Sequence, residues 1–378
     1  MAGIYLHVPF CKQACSYCDF YFVTRKELIP AYLDGLKREI LSWSDSHWGG
    51  LPFETLYIGG GTPSQLSLSQ LEEILRLLFD RFRFTTLQEC TVEVNPDDLS
   101  PEYLAGLLSL GVDRLSIGIQ SFNEQLLTFM HRSHTGSQAA QCLEWIHHAG
   151  FKRFSVDLIY GNPHQTLAML DEDITRLLTF APPHVSAYAL TIEERTRLGK
   201  QMQLGRLEPV MDDSVADQAR HLEERLAQAG LQRYEVSNFA LPGAEAVHNS
   251  AYWEHHSYLG LGPGAHSFWH KAGEAWRWQN ERDLRHWLED PEQARSNPEQ
   301  LSMEQRAEEY ILLRLRTQKG LDLAYLAQSY GYEPNLEQVA YWDNLVSMGF
   351  ARAGNTWALC GEGFQLADRI TLDLLTRR

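Results

Sequence analysis

Apolar and polar positions along the 378-residue chain follow two alternating rhythms. Runs with a two-residue period, GIYLHV (3–8), TLYIGG (55–60), CTVEVN (90–95), RLSIGI (114–119), RFSVDLIY (153–160) and HVSAYAL (184–190), read as strands. Between them stand segments of helical period: 32–43, 71–82, 101–110, 139–149 and 167–180. Ser67 three residues ahead of Gln70 makes a capping box for the second helix, and Ser100-Pro101 supplies an N-cap with proline at the first helical position of the third. Six strands alternating with these helices call for parallel strands joined by right-handed crossovers. The expected fold is therefore α/β, as a doubly wound sheet or a complete or partial barrel.

The residues at the end of each strand narrow the picture. Pro9 and three cysteines come after the first strand, and Gly59-Gly60-Gly61-Thr62-Pro63 closes the second. Glu93 and Asn95 stand at the third, Gln120 at the fourth and Asp157 on the fifth. Parallel sheets place their sites at strand C-termini, so one mouth is expected to be functional. Glu93 alternates with valines in TVEVNP and so points away from their face, into that mouth; Asp157, between Val156 and Leu158, does the same.

Composition alters the picture in three ways. A content of 44% hydrophobic and 22% charged residues is that of a soluble protein, and no apolar run reaches the roughly 18 residues of a membrane span. MAGIYLHVPF has neither the basic start nor the apolar stretch of a secretion signal, so the reducing cytoplasm is the expected compartment. The net charge of −16 disfavours a broad grip on nucleic acid or an anionic membrane.

Three of the six cysteines, Cys11, Cys15 and Cys18, lie within eight positions. Structural zinc takes four ligands, and no second local pair supplies them; Cys90, Cys142 and Cys360 are far apart. The spacing C-x3-C-x2-C on one loop suits three irons of a [4Fe-4S] cluster and leaves the fourth open. S-adenosylmethionine chelates such an iron through its amino and carboxylate groups, and the glycines of GGGTP let backbone approach a ligand closely.

The segments YLHVPFCKQACSYCDF, GGGTPSQL, EVNPDDL, RLSIGIQSF, HRSH, DLIYGNP and HNSAYW resemble, almost end to end, the anaerobic coproporphyrinogen III oxidase-like group of the radical S-adenosylmethionine superfamily. The resemblance implies a partial (β/α)6 TIM-like barrel with a C-terminal, mainly helical, winged-helix-like domain. It also implies that Tyr5, Tyr17, Gly60, Gly61, Thr62, Glu93, Gln120, Arg132 and Asp157 contact S-adenosylmethionine.

Within that group the sequence departs from the oxidases, which have a cysteine two residues beyond the third and a longer segment ahead of the first strand. Phe20 occupies the cysteine position here, and the first strand begins almost at Met1. HNSAYW (248–253) is similar to the H-N-x-x-Y-W signature of the HemW-type heme chaperones. That likeness makes heme a third bound group and His248 its expected iron ligand, with Tyr252 and Trp253 offering aromatic surface. Acceptor hemoproteins, cytosolic or membrane-bound, are then the expected partners, and a homodimer is compatible with the reading. The alternative is oxidative decarboxylation of coproporphyrinogen propionates.

The barrel is expected over 1–240, a connecting segment with the HNSAYW motif over 241–300, and the C-terminal domain over 301–378. Glycine-rich LGLGPGAHSF reads as a loop, and polar LEDPEQARSNPEQ (288–300), with two prolines, as a linker. Residues 301–378 carry eight Lys/Arg against ten Asp/Glu, so the winged-helix order brings no basic stripe for DNA.

Overall fold

The computed structural model describes residues 2–271 and 273–377. Its centre is the expected alternation: β1 (Ala2–Val8), α1 (Ile29–Ser44), β2 (Pro52–Gly60), α2 (Leu68–Arg81), β3 (Arg83–Val94), α3 (Pro101–Ser109), β4 (Arg114–Gln120), α4 (Glu124–Phe129), α5 (Gly136–Ala149), β5 (Arg153–Tyr160), α6 (Leu167–Leu178) and β6 (His184–Ala189). Strands β1 to β6 lie side by side in chain order, all parallel. Both sequence-level caps form: Ser67 and Gln70 make a reciprocal capping box, and Ser100 accepts from the Tyr103 backbone N–H. Helix α4, absent from the periodicity reading, is only six residues long and starts from an Asn123 N-cap.

The two faces of these strands have different chemistry. Ile4, Leu6, Val8, Leu56, Ile58, Val92, Ile117 and Val156 turn outward beneath the helices and belong to one buried apolar cluster. Each such side chain contributes about 1.5–3 kcal/mol by leaving water. The alternate positions, among them Thr55, Thr91, Ser116, Ser155, His184 and Ser186, are polar, buried and turned into the lumen. This partial (β/α)6 barrel therefore has a polar interior that must be satisfied by hydrogen bonds or by ligand.

Beyond β6 come α7 (Arg197–Gln203), α8 (Asp212–Gln228) and two short antiparallel strands, β7 (Gln232–Arg233) and β8 (Asn238–Ala240). The next segment does more than connect. Its α9 (Val247–Trp253) leads into β9 (Ser257–Leu261), which pairs in parallel with β1 on the opposite edge of the barrel. Antiparallel β10 (His266–Lys271) and β11 (Glu274–Asn280) come next. After α10 (Leu284–Glu289), the outermost strand β12 (Arg295–Gln300) completes a sheet of twelve strands.

Two expectations change here. LGLGPGAHSF is mostly strand, with its turn at Gly262-Pro263-Gly264, and the expected linker 288–300 ends α10 and forms an edge strand. An edge strand exposed on both faces carries no apolar alternation and tolerates Pro298, which is why its sequence resembles a linker. The glycines do allow close approach: a Cβ on Gly262, at φ +91°, would stand 2.5 Å from the His7 carbonyl oxygen.

The C-terminal part consists of α11 (Met303–Arg314), β13 (Leu321–Asp322), α12 (Leu323–Tyr330), α13 (Leu336–Ser347), β14 (Ala351–Arg352), β15 (Thr356–Leu359) and α14 (Ala367–Leu375). Its three strands form a small antiparallel sheet, giving the winged-helix order around a second apolar core that includes Trp342 and Trp357. Among the described residues, no helix is long and apolar enough to cross a membrane.

Candidate functional site

The loop after β1 bends over the C-terminal mouth and is pinned from three sides. Cys11 N–H donates to the Val23 carbonyl, Ser16 N–H to that of Met130, and Leu198 N–H to the Ser16 carbonyl. The buried Ser16 hydroxyl also donates to the Phe129 carbonyl at 2.9 Å. Helix α4 and the turn after it thus serve as the seat of the cysteine loop. Beneath it lies a cavity of about 520 Å³. Cys11, Cys15, Tyr17, Cys18, Gly60, Gly61, Thr62, Glu93, Gln120, Arg132 and Asp157 all line it, so eleven residues spread over 147 positions of sequence meet at one place.

Two donors face the thiols. Thr62 Oγ1 lies 3.6 Å from Cys11 Sγ, and Arg132 Nη1 lies 3.4 Å from Cys15 Sγ. Arg132 is held by Asn95 Oδ1 at 2.7 Å and the Gly118 carbonyl at 2.6 Å, while Asn95 Nδ2 donates to Thr62. Hydrogen bonds to sulfur are among the means by which a protein stabilises and tunes an iron–sulfur cluster, so the donor set fits a [4Fe-4S] group. Among the described residues, no three His, Cys, Asp or Glu side chains converge on the single point a mononuclear ion needs. Burial pushes the Cys11 thiol up to about 12, partly offset by Thr62, so the bare thiol stays protonated until a metal displaces the proton. A Cβ at Gly61 would lie 2.9 Å from the Phe10 carbonyl oxygen and 3.0 Å from Cys11 Sγ, so the glycine permits the loop's approach.

Two carboxyls stand on the lumen side. Glu93 receives hydrogen bonds from Tyr57 Oη at 2.8 Å and the Gly60 N–H at 2.9 Å. Burial raises it to about 7, with Asp157 nearby adding to the rise. Asp157 is raised by burial to about 6, with Ser186, Arg114, Ser116 and Arg132 acting against the rise. A ligand bringing an ammonium, a sulfonium or hydroxyl donors relieves the cost of ionising both. Tyr57 is the participant the sequence reading missed; its lumen register, two residues before Gly59 on a strand of known alternation, is the signal that marks it.

Tyr5 and His248 lie elsewhere. Tyr5 stacks on Tyr57, its register partner on β2, with centroids 6.1 Å apart, and donates to or accepts from His7 Nδ1 at 3.0 Å. His248 sits on the helix α9. Its ring enters the lumen at 1% exposure, with Nδ1 2.8 Å from Thr55 Oγ1, Nε2 2.7 Å from Tyr252 Oη and Tyr57 stacked 5.2 Å away. Gly3 makes the room: a Cβ there would lie 3.0 Å from the imidazole. Helix α9 is tethered by buried Glu89, which accepts from the backbone N–H groups of Val247 at 2.9 Å and His248 at 3.0 Å. Burial lowers the His248 pKa to about 3, so the imidazole is neutral. With 1% exposure and both nitrogens engaged, the ring has no free nitrogen in this arrangement.

A second cavity, of about 660 Å³, opens beside the first, and Asp19 and Phe20 line both. Its walls include Tyr5, Tyr252, Tyr258, Phe268, His266 and Arg282. Phe20 is 72% exposed and stands as an apolar flap between the two spaces.

Comparison with known proteins agrees with this geometry. The family model of the radical SAM superfamily matches residues 5–177. The heme chaperone HemW of Lactococcus lactis is 39% identical over 84% of this chain and 82% of its own length. That of Mycobacterium tuberculosis is 34% identical over 99% of this chain and 94% of its own. Among solved structures, the Escherichia coli coproporphyrinogen III oxidase, a radical SAM enzyme, matches 99% of this chain and 89% of its own with a TM-score of 0.84. At 21% identity, that match is a likeness of fold. The oxidase thus shares the architecture alone, whereas the chaperones share sequence over most of their length, and the chain belongs to the HemW heme chaperone family of the radical SAM superfamily.

Proposed function

We propose that this protein is a heme chaperone that carries a [4Fe-4S] cluster and S-adenosylmethionine and passes heme to acceptor hemoproteins. The observation that carries the reading is the pair of adjoining cavities: one lined by three thiols and two raised carboxyls, the other aromatic, with Asp19 and Phe20 lining both. Cys11, Cys15 and Cys18 would hold the cluster. Gly60, Gly61, Thr62, Glu93, Gln120, Asp157 and Tyr17 would hold S-adenosylmethionine, with Arg132 between them and Cys15. When bound, the cluster supplies a one-electron donor with an open iron.

The chain's own residues set the conditions for that pair. Arg132 steadies the Cys15 sulfur and adds positive charge at the cavity wall. Glu93, bridged to Gly60 and Tyr57, fixes the glycine turn and presents a carboxyl to the ligand's polar groups. The reducing cytoplasm is the compartment suited to accessible cluster cysteines. Acceptors on a membrane, reached from the aqueous side, and a homodimeric state complete the proposal.

The test is anaerobic reconstitution and then three parallel measurements: heme titration, transfer of bound heme to an apo-hemoprotein, and conversion of coproporphyrinogen III. Stoichiometric heme binding with transfer and no conversion is expected. Conversion of coproporphyrinogen, with no heme retained, would overturn the proposal in favour of an oxidase.

A further inference from the structure

Heme must meet a free iron ligand, flat apolar walls and cations for its two propionates, and the second cavity holds each of these. Four histidines line it, and three are buried or half-buried. His7 is buried, with Nδ1 bonded to Tyr5 and Nε2 enclosed without a hydrogen-bond partner. His255 is buried, stacks on Phe268 at 4.4 Å and places its two nitrogens 3.2 Å from Tyr330 Oη and 3.3 Å from Glu309. His256 is half-buried beside Glu254. His266, at the first position of β10, is exposed, and no hydrogen bond of its ring occurs among the described residues. Desolvation in the cavity, helped by Arg277 and Arg282, lowers its pKa, which keeps the imidazole neutral and its lone pair available.

The cations divide in the same way. Arg277 is paired with Glu299 and Glu309, and Arg195 with Asp19. Arg282 donates to the Asp19 carbonyl oxygen at 2.9 Å and, among the described residues, forms no ion pair. A guanidinium with donors to spare beside an unpaired imidazole is a pairing suited to a ligand with both a metal and a carboxylate. Tyr258 and Phe268 provide apolar surface, and Tyr252 is fixed from behind by His248.

Resting on the chaperone reading, we propose that heme is received in this second cavity, with His266 as the iron ligand and Arg282 as the propionate partner. His248 is a positioning residue that holds Tyr252 in the cavity wall. Heme seated there also adjoins Phe20 and the cluster loop, which places its edge next to the first cavity.

The experiment titrates ferric protoporphyrin IX, its dimethyl ester and metal-free protoporphyrin IX into the full reconstituted chain and into His266→Ala, His266→Tyr, Arg282→Gln and His248→Ala. Iron–sulfur content and far-ultraviolet circular dichroism verify that each variant is folded. His266→Ala is expected to move the Soret band and weaken ferric heme by roughly tenfold or more, with metal-free porphyrin unaffected. His266→Tyr restores binding with the spectrum of a tyrosinate-ligated iron. Arg282→Gln weakens heme by roughly tenfold but leaves the diester unchanged. His248→Ala keeps the wild-type Soret position. An unchanged spectrum and affinity in His266→Ala, with wild type binding heme, overturns the assignment while the chaperone function stands. Loss of the wild-type Soret position in His248→Ala alone overturns it in favour of the motif histidine. Failure of wild type to bind heme removes the function itself.

Discussion

Replacing His248 by alanine deletes an imidazole that is 1% exposed and bonded at both nitrogens. Thr55, itself 0% exposed, loses its side-chain partner at 2.8 Å, and Tyr252 loses its partner at 2.7 Å. A made hydrogen bond contributes about 1 kcal/mol net, and a buried hydroxyl left unsatisfied costs about 1–3 kcal/mol. The vacated ring volume under Tyr57 adds about 2 kcal/mol even with some collapse, since cavities relax only in part. These terms overlap, so the working figure is about 4 kcal/mol, a large share of the roughly 5–15 kcal/mol that holds a domain folded. The tether of α9 to Glu89 survives because it runs through backbone N–H groups, so the helix stays in place while Tyr252 gains freedom. Anaerobic scanning calorimetry on the metal-free protein should show the melting temperature falling by roughly 5 °C or more. His248→Gln, which keeps one donor and one acceptor, should recover part of the loss. An unchanged melting temperature combined with loss of the heme Soret band would refute the reasoning, because it would mean that the imidazole faces heme and carries no structural load.

The first cavity yields three further expected outcomes. Single Cys11→Ala, Cys15→Ala or Cys18→Ala variants should lose the cluster, whereas Cys90→Ala, Cys142→Ala and Cys360→Ala should keep it; iron and sulfide analysis decides. Because burial lifts Glu93 to about 7, its anionic fraction grows as pH rises from 6 to 8, so S-adenosylmethionine affinity measured by calorimetry should rise across that window and become flatter in Glu93→Gln. Arg132→Gln removes the donor to Cys15 Sγ and a positive charge, so the cluster should assemble with a reduction potential lower by about 60 mV, the one-electron equivalent of a tenfold shift. An unaltered potential in a redox titration would show that this guanidinium leaves the cluster untouched.

Features carried in short stretches were legible in the order of residues alone. The six strands come from period-two alternation, and the N-caps of α2 and α3 from Ser67-Gln70 and Ser100-Pro101, because these forces act between residues a few positions apart. The thiol triplet was legible for the same reason, since one loop holds all three sulfurs. Lumen-facing Glu93 and Asp157 were legible once alternation was assigned, because a strand fixes which neighbour points inward. Features that depend on which distant segment arrives were not legible there. Nothing local in SYLGL announces pairing with the first strand, and nothing in RSNPEQ announces an edge strand, because backbone hydrogen bonds carry that pairing without demanding particular side chains. His248 shows the consequence most directly: the motif marks it as an expected ligand, but the local sequence does not say what surrounds the ring. Only the arrival of Gly3, Thr55 and Tyr57 around the ring turns it inward, while β10 and β11 leave His266 and Arg282 facing open space.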